Sequence, residues 1–187
     1  EVAVLEVGLG GRLDATTVGR PHVSVLTRID YDHQALLGDT LARIAWDKAH
    51  IIRSGVAVSA RQEPEAETPI LERAAAVGVP LLLEGRELGV SVREASLDGQ
   101  RLDLTGPDWR IEDARCALLG PHQTSNALVA VAAARLMGAG EAAIRRGLAE
   151  VRWPGRFQVL PGSPTLILDG AHNPGGARAL AAALRAY

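Results

Sequence analysis

Short β-branched runs alternate with helical stretches through the first third of the chain. Apolar runs at residues 2–5, 23–27 and 56–59 have the length and composition of buried strands. Between the last two, Leu41, Ile44, Ala45, Ile51 and Ile52 recur at helical spacing, which predicts a helix over 40–53 with Asp39 as its cap. A second helix is predicted over 64–77, stopped by Gly78 and followed by a strand at 80–83. Strand, helix and strand in this rhythm imply a parallel α/β sheet.

The pattern changes near residue 90. Three short runs at 90–93, 101–104 and 109–111 are split by Asp98-Gly99 and Gly106-Pro107, the turn chemistry of a small antiparallel insert. Helices follow over 123–137 and 141–150, and "RWPGR" at 152–156 ends the helical pattern. The stretch from there to Pro161-Gly162-Ser163-Pro164 reads as a linker. Beyond it, 165–168 has the character of a buried strand, and "DGAHNPGG" opens a helix with Asn173 as N-cap and Pro174 at its first position. The expected organisation is a central domain over 1–160 and the start of a second over 161–187. Because Glu1 lies inside an apolar run and Tyr187 inside an alanine-rich helical pattern, the sequence reads as a fragment.

Composition narrows the partners. With 187 residues, 47% hydrophobic, 22% charged and a net charge of −2, the chain is of ordinary globular type, with no basic face for nucleic acid. No apolar run is long enough to span a bilayer. Cys116 has no second cysteine to pair with, and no charged-then-apolar leader precedes it. A cytoplasmic protein acting on small molecules is therefore expected.

The candidate chemistry begins with "EVGLGGRLDATT" at residues 6–17. Gly8 and Gly10 fit a dinucleotide fingerprint, but its third glycine is Leu13, and no Gly-Lys-Ser/Thr follows as in a nucleotide P-loop. Lys48 falls in the middle of the apolar stripe of the 40–53 helix. Its stem can snorkel to the edge. Alternatively, a desolvated amine reacts with carbon dioxide to give a carbamate, an oxygen ligand suited to magnesium. Glu6, Asp32 and His33 follow strands at the carboxyl edge of the expected sheet, where ligands of open α/β sheets gather.

Taken together, "EVGLGGRLDATT", "DYDHQALLGDTLARIAWDKAHII", "GPHQTSNALVA", "RWPGR" and "DGAHNPGG" resemble folylpolyglutamate synthase/dihydrofolate synthase, a branch of the Mur ligase superfamily. The resemblance implies a P-loop-type parallel central domain with a small antiparallel insert, followed by the start of a Rossmann-like glutamate-ligase domain. It places the P-loop and most of the last domain outside this stretch, which alone would then lack activity. It further implies an ATP-dependent, monomeric ligase that joins L-glutamate to dihydropteroate or folate through an acyl phosphate. Glu6, His33 and carbamylated Lys48 match its magnesium ligands, with Lys48 and His33 at the catalytic centre. Arg12, Leu13 and Asp14 match its pterin-substrate segment, where Gly8, Gly10 and Gly11 would let the backbone approach ligand. Asn126, Arg156, Asp169 and His172 match residues around ATP, which would lie between domains. The sequence departs from the usual pattern at Thr17, Asp30, Trp46, Asp47, His50 and Arg53. A peptidoglycan-precursor ligase and an inactive, truncated nucleotide-binding module are the alternative readings.

Overall fold

A computed structural model describes all 187 residues. Their packing resolves into two units, Glu1–Leu83 and Glu84–Tyr187.

In the first unit, β1 (Val23–Leu26), β2 (Val56–Ser59) and β3 (Leu81–Leu83) form a parallel sheet in sequence order. Three helices belong to this unit: α1 (Gln34–Leu37), α2 (Leu41–Ala49) and α3 (Pro64–Val77). Ile44, Ala45 and Ala49 of α2 share one buried cluster with Ile70 and Ala74 of α3 and with Leu26 and Ala57 of the sheet. Gly78 ends α3 in the left-handed conformation, as its sequence indicates.

Three expectations are corrected here. Residues 2–5 do not form a strand: no strand pairs with them, and Val4 is 92% exposed. An apolar run becomes a strand only where a neighbour takes its backbone hydrogen bonds. Asp39 is not the cap of α2; Thr40 is, its hydroxyl accepting the Arg43 N–H at 3.2 Å, while Asp39 pairs with Arg43. Nor does α2 reach residue 53. It stops at Ala49, where the N–H groups of His50, Ile51 and Ile52 tighten onto the carbonyls three residues back, and the Ile51 and Ile52 carbonyls then accept from the Ser24 hydroxyl and Arg73 Nε.

The glycine loop before β1 packs on the last turn of α2. A Cβ on Gly11 would lie 2.8 Å from the Lys48 carbonyl oxygen and 2.9 Å from that of Asp47. One on Gly10, whose φ is +67°, would strike the Asp47 carboxylate. These two glycines therefore allow the close contact with the helix.

The second unit begins with a three-stranded antiparallel meander of β4 (Gly89–Ser96), β5 (Gly99–Gly106) and β6 (Trp109–Cys116). Leu102, Leu104, Ile111 and Ala114 are buried, while Arg93–Asp103 and bidentate Arg101–Asp113 pairs lie in the open. Helices α4 (His122–Leu136) and α5 (Glu141–Glu150) follow. The stretch read as a linker contains a strand, β7 (Gln158–Leu160), paired antiparallel with β8 (Leu166–Leu168). The Pro-Gly-Ser-Pro segment is the turn between them, and β8 is exposed, contrary to its buried-type composition. Asn173 caps α6 (Pro174–Ala186) as expected, its Oδ1 accepting the Gly176 N–H at 2.7 Å. Leu119, Phe157 and Ala183 form a small core, and the Gly120 N–H donates to the Tyr187 hydroxyl at 3.0 Å.

Replacing Gly11 by Ala should destabilise the protein by about 1–3 kcal/mol, because the added methyl meets backbone atoms that do not yield cheaply; urea denaturation reads the loss. Acid should weaken the meander. The hydrogen bond from Arg93 holds the Asp103 carboxyl below the usual carboxylate range, and that from Arg101 does the same for Asp113. Depressed folded values contribute stability above the unfolded value near 4, lost as pH falls through the lower folded ones. The urea midpoint should therefore fall below about pH 4, and less steeply in the Asp113→Asn protein.

Candidate functional site

Asp14 organises the loop of the first unit. Its Oδ2 accepts the N–H groups of Gly8 and Leu9 at 3.0 and 3.1 Å, and its Oδ1 accepts the N–H and hydroxyl of Thr16 at 2.9 and 2.6 Å. This caps a short 3-10 turn at Ala15–Val18. The bonds from Thr16, then those from Leu9 and Gly8, lower its pKa to about 2. A carboxylate has about four acceptor sites, and these donors occupy them.

Arg12 turns toward α2. Its N–H donates to Asp47 Oδ1 at 3.3 Å, its Nε lies 3.6 Å from Asp47 Oδ2, and its guanidinium sits 5.5 Å from the centre of the Trp46 ring. Trp46 in turn meets His50 edge-on at 4.4 Å. Arg12, Trp46, Asp47 and His50 thus form one patch, and Trp46, two positions from Lys48, belongs to another face of the helix. Arg12, Trp46, Arg43, Gln34, Leu36 and Pro69 are among the residues lining an open hollow of about 750 Å³. Leu13 is exposed beside Arg12.

Lys48 is half-buried in the last turn of α2, so the stripe that sequence periodicity centred on it does not enclose it fully. The Gly11 contact joins it to the loop that follows exposed Glu6. His33 is exposed at the start of α1, with φ 50° and ψ 34°; its N–H donates to Asp32 Oδ1 at 2.8 Å, and its Nε2 lies 3.8 Å from the same oxygen. No group of three or more His, Cys, Asp and Glu side chains forms a ready metal cage. Exposed Glu6 offers a carboxylate, the donor type of which magnesium takes one or two beside phosphate oxygens and waters.

In the second unit, Asp169 bridges two segments: Oδ2 accepts the Phe157 N–H and Oδ1 the Ala171 N–H, both at 2.8 Å. The Arg156 guanidinium lies 5.9 Å from the centre of the Trp153 ring and against Gly170, where a Cβ would be 3.1 Å from Nη1. His172 Nδ1 is 2.8 Å from the Gly170 carbonyl; that oxygen only accepts, so Nδ1 carries a proton. Arg156, Asp169 and His172 thus meet around Gly170. Asn126, half-buried on α4, donates to Gln123 Oε1 at 3.0 Å.

One residue in each unit was given no site role by the sequence motifs. Burial lowers the pKa of His122; the charge of Asp169 opposes that shift and the charge of Arg156 adds to it, so this imidazole lies in the field of both. Its signal was present in "GPHQ". In the first unit, Asp47, the partner of Arg12, stood out only as a departure from the usual pattern, since a carboxylate on a helix is usually a solvated one.

Residues 1–134 match the Mur ligase middle domain. The folylpolyglutamate synthase of Lacticaseibacillus casei is 37% identical over 192 residues, covering 99% of this chain and 45% of the relative. The dihydrofolate synthase/folylpolyglutamate synthase of Mycobacterium tuberculosis is 39% identical over 198 residues, covering 98% and 41%. The chain therefore spans less than half the length of these relatives. A solved FPGS-AMPPCP-folate complex superposes with a TM-score of 0.91 at 36% identity, covering 97% of this chain and 46% of that one. On the match of its first 134 residues and this similarity along nearly its whole length, the chain belongs to the Mur ligase family, within the folylpolyglutamate synthase/dihydrofolate synthase branch.

Proposed function

We propose that this chain is part of an ATP-dependent carboxylate-amine ligase that adds L-glutamate to dihydropteroate, to reduced folate, or to both. The observation that carries this reading is the overlap of nearly the whole chain with a folylpolyglutamate synthase complex holding AMPPCP and folate. A peptidoglycan-precursor ligase would share the middle domain, but not identities of 37–39% to folate enzymes along the whole chain.

In this reaction an acceptor carboxylate oxygen attacks the γ-phosphorus of ATP and ADP leaves. The glutamate amine then attacks the acyl carbon of the acyl phosphate, and inorganic phosphate leaves as the amide forms. Little covalent work falls to the protein; positioning, charge and exclusion of water remain. Arg156 would neutralise a nucleotide phosphate, and His172 would lie beside the phosphates. Asn126 would read the adenine through its amide. Two acceptor sites of Asp169 remain for ribose hydroxyls after its two backbone bonds. Glu6, His33 and carbamylated Lys48 would hold magnesium, which when bound supplies positive charge against phosphate oxygens. Arg12 and Leu13 would border the acceptor. A substrate donor reaching Asp14 must share or displace one of the four bonds that fix the loop. The same reading takes a monomer in the cytoplasm as the working form; no helix is long and apolar enough to cross a membrane.

In the complete ligase, Lys48→Ala should lower turnover roughly 100- to 1000-fold, with partial recovery on adding acetate or another short carboxylate. Unchanged turnover would remove the carbamate from the scheme. ADP release with dihydropteroate and with tetrahydrofolate as separate acceptors, each with L-glutamate, tests the activity itself. Turnover with at least one is expected; none with either overturns the proposal.

A further inference from the structure

The parallel ladder between β1 and β2 ends at Leu26 and Ser59, and the next backbone bond runs from the Ala60 N–H to the Leu26 carbonyl at 2.8 Å. Past that point the two chains separate, and a side chain takes over. Gln62 is 6% exposed, and its amide faces the departing backbone of β1. Oε1 accepts the Ile29 N–H at 2.9 Å, and Nε2 donates to the Thr27 carbonyl at 2.9 Å and to the Ser59 hydroxyl at 3.1 Å. The orientation of the amide is fixed by its partners, since an N–H must meet the oxygen and a carbonyl must meet the nitrogen. Ser59 is itself fully buried and donates to the Ala60 carbonyl at 2.9 Å.

A residue of a parallel neighbour strand offers one donor and one acceptor to residues two apart on the strand beside it. Gln62 offers that pair to Thr27 and Ile29. We propose that Gln62 is the positioning residue of the loop that carries His33, its side-chain amide serving as a detached rung that extends the sheet beyond β2. The consequence for magnesium rests on the assignment of His33 proposed above. Ile29 is 5% exposed and anchored in the core cluster of the first unit. From there only residues 30–32 separate the anchored backbone from His33, whose left-handed conformation opens α1. The rung thus sets the point from which a short, otherwise irregular segment reaches the metal-binding position, as outer partners orient ligands elsewhere.

The test uses the complete ligase with Gln62→Met, which keeps the shape and removes both polar groups. Gln62→Glu keeps the Ile29 acceptor and sets an oxygen against the Thr27 carbonyl; it carries the measurement if the first variant does not fold. Amide hydrogen exchange without metal should speed up about tenfold at Ile29 and through residues 30–33. Exchange in α3 should be unchanged. The magnesium concentration for half-maximal turnover should rise about tenfold, with turnover at saturating magnesium largely kept. Unchanged exchange at 29–33 overturns the proposal. It is also overturned if His33→Ala raises the magnesium requirement while neither Gln62 variant does. If His33→Ala leaves that requirement unaltered, the His33 assignment fails, and the exchange data alone decide whether Gln62 holds the loop.

Discussion

The absence of two β-carbons fixes the geometry of the first unit's candidate site. Gly10 and Gly11 bring a loop against the last turn of α2 at a distance no other residue allows, with the Lys48 and Asp47 carbonyls as the opposing wall. That contact fixes where the loop leaves the helix, hence where Arg12 meets Asp47 and where Asp14 gathers its four donors. The loop's own electrostatics are then settled internally: the carboxylate of Asp14 neutralises orphan N–H groups, and Asp47 holds Arg12 over Trp46. The glycines work for packing: without side chains they let the loop and helix backbones meet.

A second constraint operates at the carboxyl end of the parallel sheet. Strands there part company, and every backbone group released from the ladder needs a new partner. Gln62 supplies two of these, and Thr40 caps the start of α2 where the chain turns back from that edge. The loops that bear the candidate ligands are therefore held by side-chain substitutes for backbone pairing, a common way for rigid scaffolds to carry irregular functional segments.

The sequence was most legible where local chemistry decides the outcome. The helix from Pro64 to Gly78, the meander turned at Asp98-Gly99, and the Asn173-Pro174 helix start all follow from capping and turn residues that act within a few positions. It was least legible where partners are distant. Nothing within residues 2–5 says whether a strand will lie beside them, and nothing near Gln158 announces that Leu168 will pair with it across a proline-rich turn. For the candidate site, motif residues pointed to Asp14, Arg156 and Asp169. Yet Asp14 is engaged wholly by its own loop, and the roles of Asp47, Gln62 and His122 arise from contacts that only folding creates.

The bond between Gly120 and Tyr187 closes a ring of chain, its ends 67 positions apart. Asn126, Arg156, Asp169 and His172 all lie on that ring. The Asp169 bridge to Phe157 divides it further, like a strut across a frame. Linkages closed in this way have fewer independent movements than open chains of equal length. The Tyr187 hydroxyl thus ties the end of α6 to the turn that opens α4, and the Asp169 carboxylate ties the segment before α6 to the start of β7.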